Sequence, residues 1–355
     1  MDVADRVVLH IGSMKSGTSF IQNVLGNNRE ALAQHGISFA GERWRDQVTA
    51  VQDLIAHGGP RQEPLDPAGP WLRLVDEINA TPGTSVVSME FLAPRVTAKI
   101  ELVRDALEGD LQVVLTGRDL ARNIAAMWLE SVQNGSAVDW DAYLAAVRSE
   151  DRSQPVARNF WNHQGLAEIA RRWADAVGED HFTLMTVPQK GAPSSLLWER
   201  FAQVLHLDPQ AFALDVRANP SIGLATAMTL QHLNALLEAD GFTDDKYYDL
   251  LVKHLLTKRG LVARQGQEPR LGLDERWVMK RGAAEVAALR KQGHRVVGDL
   301  DELLPKPVPG VHPSQVSTQQ QLEAAMEGLS RMVQIGVERE GRHRRRIARL
   351  RKGNR

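Results

Sequence analysis

Short apolar runs alternate along this chain with longer amphipathic stretches, and that rhythm sets its elements. Val7–Ile11, Thr84–Ser88, Leu111–Thr116 and His181–Thr186 are apolar-rich runs of strand length. Runs of this kind suit strands that are covered on both faces. Between them, apolar positions recur at helical spacing. This predicts a helix from Ser19 to Gln34, punctuated at near-helical spacing by Phe20, Val24 and Leu32, and further helices over Thr97–Leu107, Leu120–Gln133, Phe160–Ala176 and Ser194–Leu205. Residues 41–70, with Pro60, Pro64, Pro67 and Pro70, read as loop, and residues 151–156 as a polar linker. Strand–helix alternation of this sort predicts an α/β fold with a parallel central sheet flanked by helices.

From residue 221 the pattern turns helical, with segments near 221–238, 245–257 and 275–292 and a short late strand at Arg295–Val297. Pro305, Pro307, Pro309 and Pro313 mark a stiff connector, and Gln319–Val337 is amphipathic. The expected organisation is an α/β core over 1–220, a helical section packed on it over 221–304, and a connector, helix and basic tail over 305–355.

Composition narrows the chemistry. The 355 residues are 43% hydrophobic and 25% charged, as expected of a chain with a substantial core, and they include no cysteine. That excludes disulfides, thiolate nucleophiles and Cys-ligated metal sites. Residues 342–355 carry eight basic and no acidic side chains, which leaves a net −9 on residues 1–341. An acidic body with a basic tail is not a general nucleic-acid binder. The N-terminus lacks a basic-then-apolar leader, and no stretch of 18 uninterrupted apolar residues occurs, so a cytoplasmic location without a membrane span is expected.

The chemistry-bearing segment is Val7-Val8-Leu9-His10-Ile11-Gly12-Ser13-Met14-Lys15-Ser16-Gly17-Thr18-Ser19-Phe20. A strand runs into a small-residue turn and then a helix, so backbone amides at the helix start form a concavity suited to phosphate. Lys15 adds a cation, and Thr18 and Ser19 add hydroxyls. Lysine precedes the second glycine, so this is not the Gly-Lys-Ser/Thr order of a nucleoside-triphosphate loop. His10 reads as a hydrogen-bonded core histidine. Arg118 ends the third predicted strand, where α/β sheets bind ligands and where a guanidinium fork fits phosphate oxygens. Glu90 lies at the exit of the second and is the candidate general base.

Lys15-Ser16-Gly17-Thr18-Ser19-Phe20 resembles the 5′-phosphosulfate loop of sulfotransferases that use 3′-phosphoadenosine 5′-phosphosulfate (PAPS). Val113–Asn134 is similar to that family's 3′-phosphate segment, and Thr186–Trp198 and Val296–Leu304 look like bacterial members. The resemblance implies a fold related to P-loop kinases and transfer of a sulfuryl group to a hydroxyl or amine of a small-molecule acceptor, with no metal required. It implies Lys15 and Glu90 as catalytic groups, and Ser16, Gly17, Thr18, Ser19, Phe20, Arg118 and Arg217 as donor-binding residues. Arg217 enters through Arg217-Ala218-Asn219-Pro220-Ser221-Ile222-Gly223, and Lys190 with the 186–192 turn reads equally as a border of the adenine or as an ordinary surface turn. Two positions depart from the family pattern. Ala126 stands where a serine usually assists the 3′-phosphate arginine, and Met89 stands where bacterial members often have histidine. The alternatives are a non-catalytic anion-binding relative of the fold and a nucleotide-dependent kinase. Trp44, His57, Trp71, Tyr247, Tyr248, His254 and Trp277 read equally as acceptor-lining or core residues, and no acceptor is named.

Overall fold

Val7, Val8 and Leu9 are all enclosed, as consecutive residues of a strand with a layer on each side must be. The computed structural model describes residues 4–59, 62–215 and 221–353. In chain order the elements are β1 (Ala4–His10), α1 (Thr18–Asn27), α2 (Arg29–Gln34), β2 (Ile37–Phe39), α3 (Trp44–Ala56), α4 (Pro70–Asn79) and β3 (Gly83–Ser88). Next come α5 (Thr97–Ala106), β4 (Asp110–Gly117), α6 (Leu120–Gln133), α7 (Trp140–Ser149), α8 (Pro155–Gln164), α9 (Leu166–Val177), β5 (Phe182–Thr186) and α10 (Leu196–Leu205). The last group is α11 (Leu224–Ala239), α12 (Asp245–Tyr248), a π-helical segment (Asp249–Leu261), α13 (Arg276–Gln292), β6 (Arg295–Val297) and α14 (Thr318–Gly353).

The strands form one parallel sheet in the order β2-β3-β1-β4-β5-β6. The chain passes from β1 to one side through β2 and β3, then returns to the other side of β1 as β4. The carboxyl ends of β1 and β4 therefore flank a topological switch point, where open α/β sheets leave a crevice.

The chain divides into two compact units. The first comprises Met1–Asn123, Val147–Asn219 and Glu275–Lys306, and the second Ile124–Ala146, Pro220–Asp274 and Pro307–Arg355. The first unit contains the sheet. Strand alternation splits its core in two: Val7, Leu9, Val113 and Leu115 pack with Trp173, Ile100 and Val286 on one face. Val8 and Val114 pack with Ile21, Trp198 and Phe201 on the other.

The second unit is held by buried amide and ion-pair contacts. Asn234 Nδ2 donates to the carbonyls of Val132 (2.8 Å) and Ser136 (2.9 Å), and Tyr248 Oη donates to Asn234 Oδ1 (2.7 Å). Arg264 bridges Glu268 and Glu327 at 2.8 and 2.5 Å. Helix α14 packs on α11 and the π-helical segment. Its outward side carries exposed Leu322, Met326, Leu329, Val333 and Val337. Among the described residues, no helix is long and apolar enough to cross a membrane.

Several elements differ from the pattern-based expectation. The predicted helix over 19–34 is broken at Asn28, whose amide is committed to Val24 and to the backbone of Ala213. The predicted helix over 160–176 is two helices that meet at Gly165, where a Cβ would lie 2.7 Å from the Trp161 carbonyl. The stretch read as loop over 41–70 contains α3, whose Ala50, Val51 and Leu54 are buried in the core, and ends in the first residue of α4.

Candidate active site

Three chain segments leave adjacent strands at the same end of the sheet: Glu90 beyond β3, residues 12–17 beyond β1, and Arg118 beyond β4. All belong to the first unit.

Gly12 begins the loop because nothing larger fits there. A Cβ at Gly12 would lie 2.5 Å from Thr116 Oγ1 and 2.6 Å from Thr18 Oγ1. Lys15 and Gly17 then take positive φ values of 65° and 84°. The left-handed conformation is costly for lysine, so the surroundings must hold it. They do so through three consecutive carbonyls. Ser16 Oγ donates to Ser13 O at 2.5 Å, Gln164 Nε2 to Met14 O at 2.8 Å, and Arg118 Nη1 to Lys15 O at 3.1 Å. In a trans peptide the N–H points opposite to the C=O. Tying the Ser13 and Met14 carbonyls to the protein turns the amides of Met14 and Lys15 the other way, while the Ser16 amide closes the turn on Ser13 O at 3.2 Å. Helix α1 has no acidic residue in its first turn, so its positive end is not neutralised locally.

Two loop hydroxyls, Ser13 Oγ and Thr18 Oγ1, are buried without a hydrogen-bond partner among the described residues. Buried polar atoms are nearly always satisfied. Two such donors beside the amides and Lys15 suit an oxyanion with several acceptor oxygens.

Behind the loop runs a hydrogen-bonded chain: Ser88 Oγ to His10 Nδ1 (2.8 Å), His10 Nε2 to Thr116 Oγ1 (3.1 Å), and Thr116 Oγ1 to Ser16 Oγ (2.7 Å). Ser16 spends its single proton on Ser13 O, so Thr116 donates to Ser16. Thr116 then accepts from His10 Nε2–H, and Ser88 donates to Nδ1. The chain fixes one neutral tautomer, in keeping with a ring whose pKa burial lowers from 6.5 to about 3. His10 is thus the enclosed core histidine expected from the sequence, and it anchors Ser16.

This burial has a stability signature. The unfolded ring takes up a proton near pH 6.5 and the folded ring only near 3. Stability is therefore complete above pH 6.5 and falls as pH drops from there toward 3, by at most about 1.4 kcal/mol per unit for one such group. His163, depressed to about 4 by burial and then by Arg95, adds a second contribution. Carboxylates change little between pH 6.5 and 5, so urea midpoints across that window should fall. A flat profile would contradict the neutral, buried rings.

Arg118 follows β4 and is mostly enclosed. Burial lowers its pKa to about 10, with Arg122 adding to the effect and Asp119 opposing it. Arg122, one helical turn on, contacts the buried Asp119 carboxylate and donates from Nη1 to Pro188 O at 3.1 Å. Its Nη2 is buried and unpartnered. Two guanidinium groups thus share one carboxylate, and the excess positive charge favours a bound anion. Sequence reasoning passed over Arg122 as a family match. The signal available was its i+4 spacing from Arg118, which places it over the same strand exit.

Glu90 is half-buried at the exit of β3 and opens a single 3₁₀ turn, Glu90–Leu92. Gln22 of α1 donates from Nε2 to Glu90 Oε2 (3.0 Å) and to Ser88 O (2.9 Å), which fixes the carboxylate relative to the loop helix. Met89 beside it is fully buried in the core, so Glu90 is the ionisable member of the pair. Ser19 is exposed, and Phe20 packs partly against the Trp198 core. Trp71 is a core residue, and Trp44 is 40% exposed. Arg217 lies outside the described residues.

No protein-family model matches this chain, and no curated protein matches it. Among solved structures it is similar to the crystal structure of a sulfotransferase from Alicyclobacillus acidocaldarius. The match has 16% identity and a TM-score of 0.39, and covers 71% of this chain and 97% of that one. A likeness at that level carries no functional argument, so the reading below rests on the site.

Proposed function

We propose that this protein is a sulfotransferase that takes a sulfuryl group from PAPS and passes it to a hydroxyl or amine of a small acceptor. The observation that carries the reading is the loop. Lys15 and two enclosed, unpartnered hydroxyls, Ser13 and Thr18, surround a helix start at the switch point of the sheet. The motif Lys15-Ser16-Gly17-Thr18-Ser19-Phe20 resembles the phosphosulfate loop of that family.

In this reading the loop amides with Ser13 and Thr18 hold the 5′-phosphosulfate. Arg118 and the unpartnered Nη2 of Arg122 hold the 3′-phosphate. PAPS supplies the electrophilic sulfur. Glu90, held by Gln22, takes the acceptor's proton as its oxygen or nitrogen bonds to sulfur. The sulfur–oxygen bond to the phosphate breaks on the opposite side, and Lys15 neutralises the charge that develops on the departing phosphate.

Thermal-shift titration of the full chain tests the reading. Adenosine 3′,5′-bisphosphate (PAP) should raise the melting temperature saturably, by mass action on the folded state. ATP with magnesium should not. The reverse order would overturn the reading in favour of a kinase. Arg118→Ala should weaken PAP binding by about 1.5–3 kcal/mol, the scale of a charged hydrogen bond. Calorimetric titration checks this, and unchanged affinity would remove Arg118 from the 3′-phosphate role.

A further inference from the structure

Among the side chains of the first unit whose buried nitrogen atoms have no hydrogen-bond partner are Arg95, His163 and Arg172, through Nε, Nδ1 and Nε respectively. Among the described residues, Arg95 and Arg172 also make no ion pair. The other half-buried arginines (Arg6, Arg29, Arg118, Arg122, Arg200, Arg264 and Arg281) all have protein partners. Half-burying a guanidinium without a counter-charge costs free energy unless something else supplies the charge.

The fold brings these residues together. Arg95 stands in the turn that follows Glu90–Leu92, five residues beyond Glu90. Trp173 Nε1 of α9 donates to Ala93 O in that turn at 3.2 Å, and Arg172 is its neighbour on the helix. His163 lies in the last turn of α8, next to the Gln164 that holds the loop carbonyl of Met14. The charges sense one another. Burial lowers the pKa of Arg95, His163 and Lys99; Arg172 lowers that of Arg95 further, and Arg95 that of His163 and of Lys99 in the first turn of α5. Burial lowers the pKa of Arg172, Glu168 opposes that, and Arg152 and Arg171 add to it. Glu168 is the i−4 neighbour of Arg172 and its natural partner, but both Glu168 oxygens are taken by Arg152 at 2.7 Å. Arg95, Arg172, Lys99, Arg152 and Arg171 thus face the one carboxylate of Glu168, which leaves surplus positive charge around three unpartnered nitrogens.

We propose that Arg95, His163 and Arg172 form a second anion-binding site, which takes a compact oxyanion such as a carboxylate, sulfate or phosphate group. Each guanidinium offers a charge-assisted Nε–H, and the imidazole offers a third polar contact. Anion binding here does not depend on the reading of the loop. Assigning the anion to the acceptor does rest on that reading: because Arg95 follows Glu90 so closely, the group it holds belongs to the molecule that Glu90 deprotonates. The acceptor is then a hydroxyl- or amine-bearing compound with an acidic substituent.

The test uses the full chain and sodium sulfate, with sodium chloride at equal ionic strength as the control. Histidine-ring NMR at pH 7, with the His163 signal assigned from the His163→Gln spectrum, should show a saturable shift with sulfate. Arg95→Gln and Arg172→Gln should each weaken that response about tenfold or more, while Lys15→Ala leaves it within about twofold. Both arginine variants should keep PAP affinity within about twofold by calorimetry, which also reports that they are folded. No saturable shift of His163, or a shift that persists in both variants, overturns the site. If the His163 response holds but PAP does not bind, the donor reading falls and the anion site stands. PAP binding without a His163 response sinks this site alone.

Discussion

Lys15→Ala is expected to lower turnover about 10²-fold or more while leaving the melting temperature nearly unchanged. The backbone of the turn is held by other residues. Its carbonyls are held by Ser16, Gln164 and Arg118, and its first position is fixed by the contacts around Gly12. Alanine at position 15 keeps the backbone and its positive φ, at a modest cost in strain. What is lost, in the proposed reaction, is the cation that neutralises the departing phosphate. Single-turnover measurement with PAPS separates this loss from weaker donor binding. Unchanged turnover would remove Lys15 from the chemical step.

Glu90→Gln should cut turnover about 10²–10⁴-fold and leave PAP affinity intact. Glutamine has nearly the same shape and can still bond Gln22, so the 3₁₀ turn and the loop helix should stay in register. It cannot accept a proton. An alkyl alcohol does not lose its proton spontaneously near neutral pH, so the effect should be largest for such acceptors and smaller for phenols. The acidic limb of the rate–pH profile should vanish with the carboxylate. Retained turnover on an alcohol, with unaltered PAP affinity, would place proton acceptance elsewhere.

The sheet was largely legible in the sequence because parallel strands must be apolar on both faces. Val7–Ile11, Thr84–Ser88, Leu111–Thr116 and His181–Thr186 each fall on a strand, and the late strand at Arg295–Val297 is β6. Strand β2 went unseen because three residues, Ile37–Phe39, hold too little pattern. Helix α3 was masked by the prolines that crowd the end of the same stretch. The breaks at Asn28 and Gly165 answer to distant or steric partners, which periodicity does not report.

The site divides along the same line. The Gly12–Thr18 turn is local and announced itself. Gln164, Thr116 and Gln22 act on it from more distant parts of the chain or through side-chain geometry, and nothing in their own surroundings marks them. The two compact units also draw on non-contiguous segments, which composition read along the chain does not reveal.

That interleaving has a consequence for synthesis. The segment Glu275–Lys306 rejoins the first unit only after Pro220–Asp274 has gone to the second, and it delivers β6 to the open side of β5. It also delivers Glu302, whose carboxylate meets Arg200 at 2.6 Å and Thr186 at 2.5 Å. On the ribosome, β5 therefore waits for the strand that covers it. At about 5–20 residues per second the delay is on the order of 5–20 s. Throughout it the nascent sheet presents a bare row of amides and carbonyls, the template on which strands from other chains add. Yield in a cell is then governed by how well that unfinished edge is shielded, and slowing translation within 220–274 prolongs the hazard.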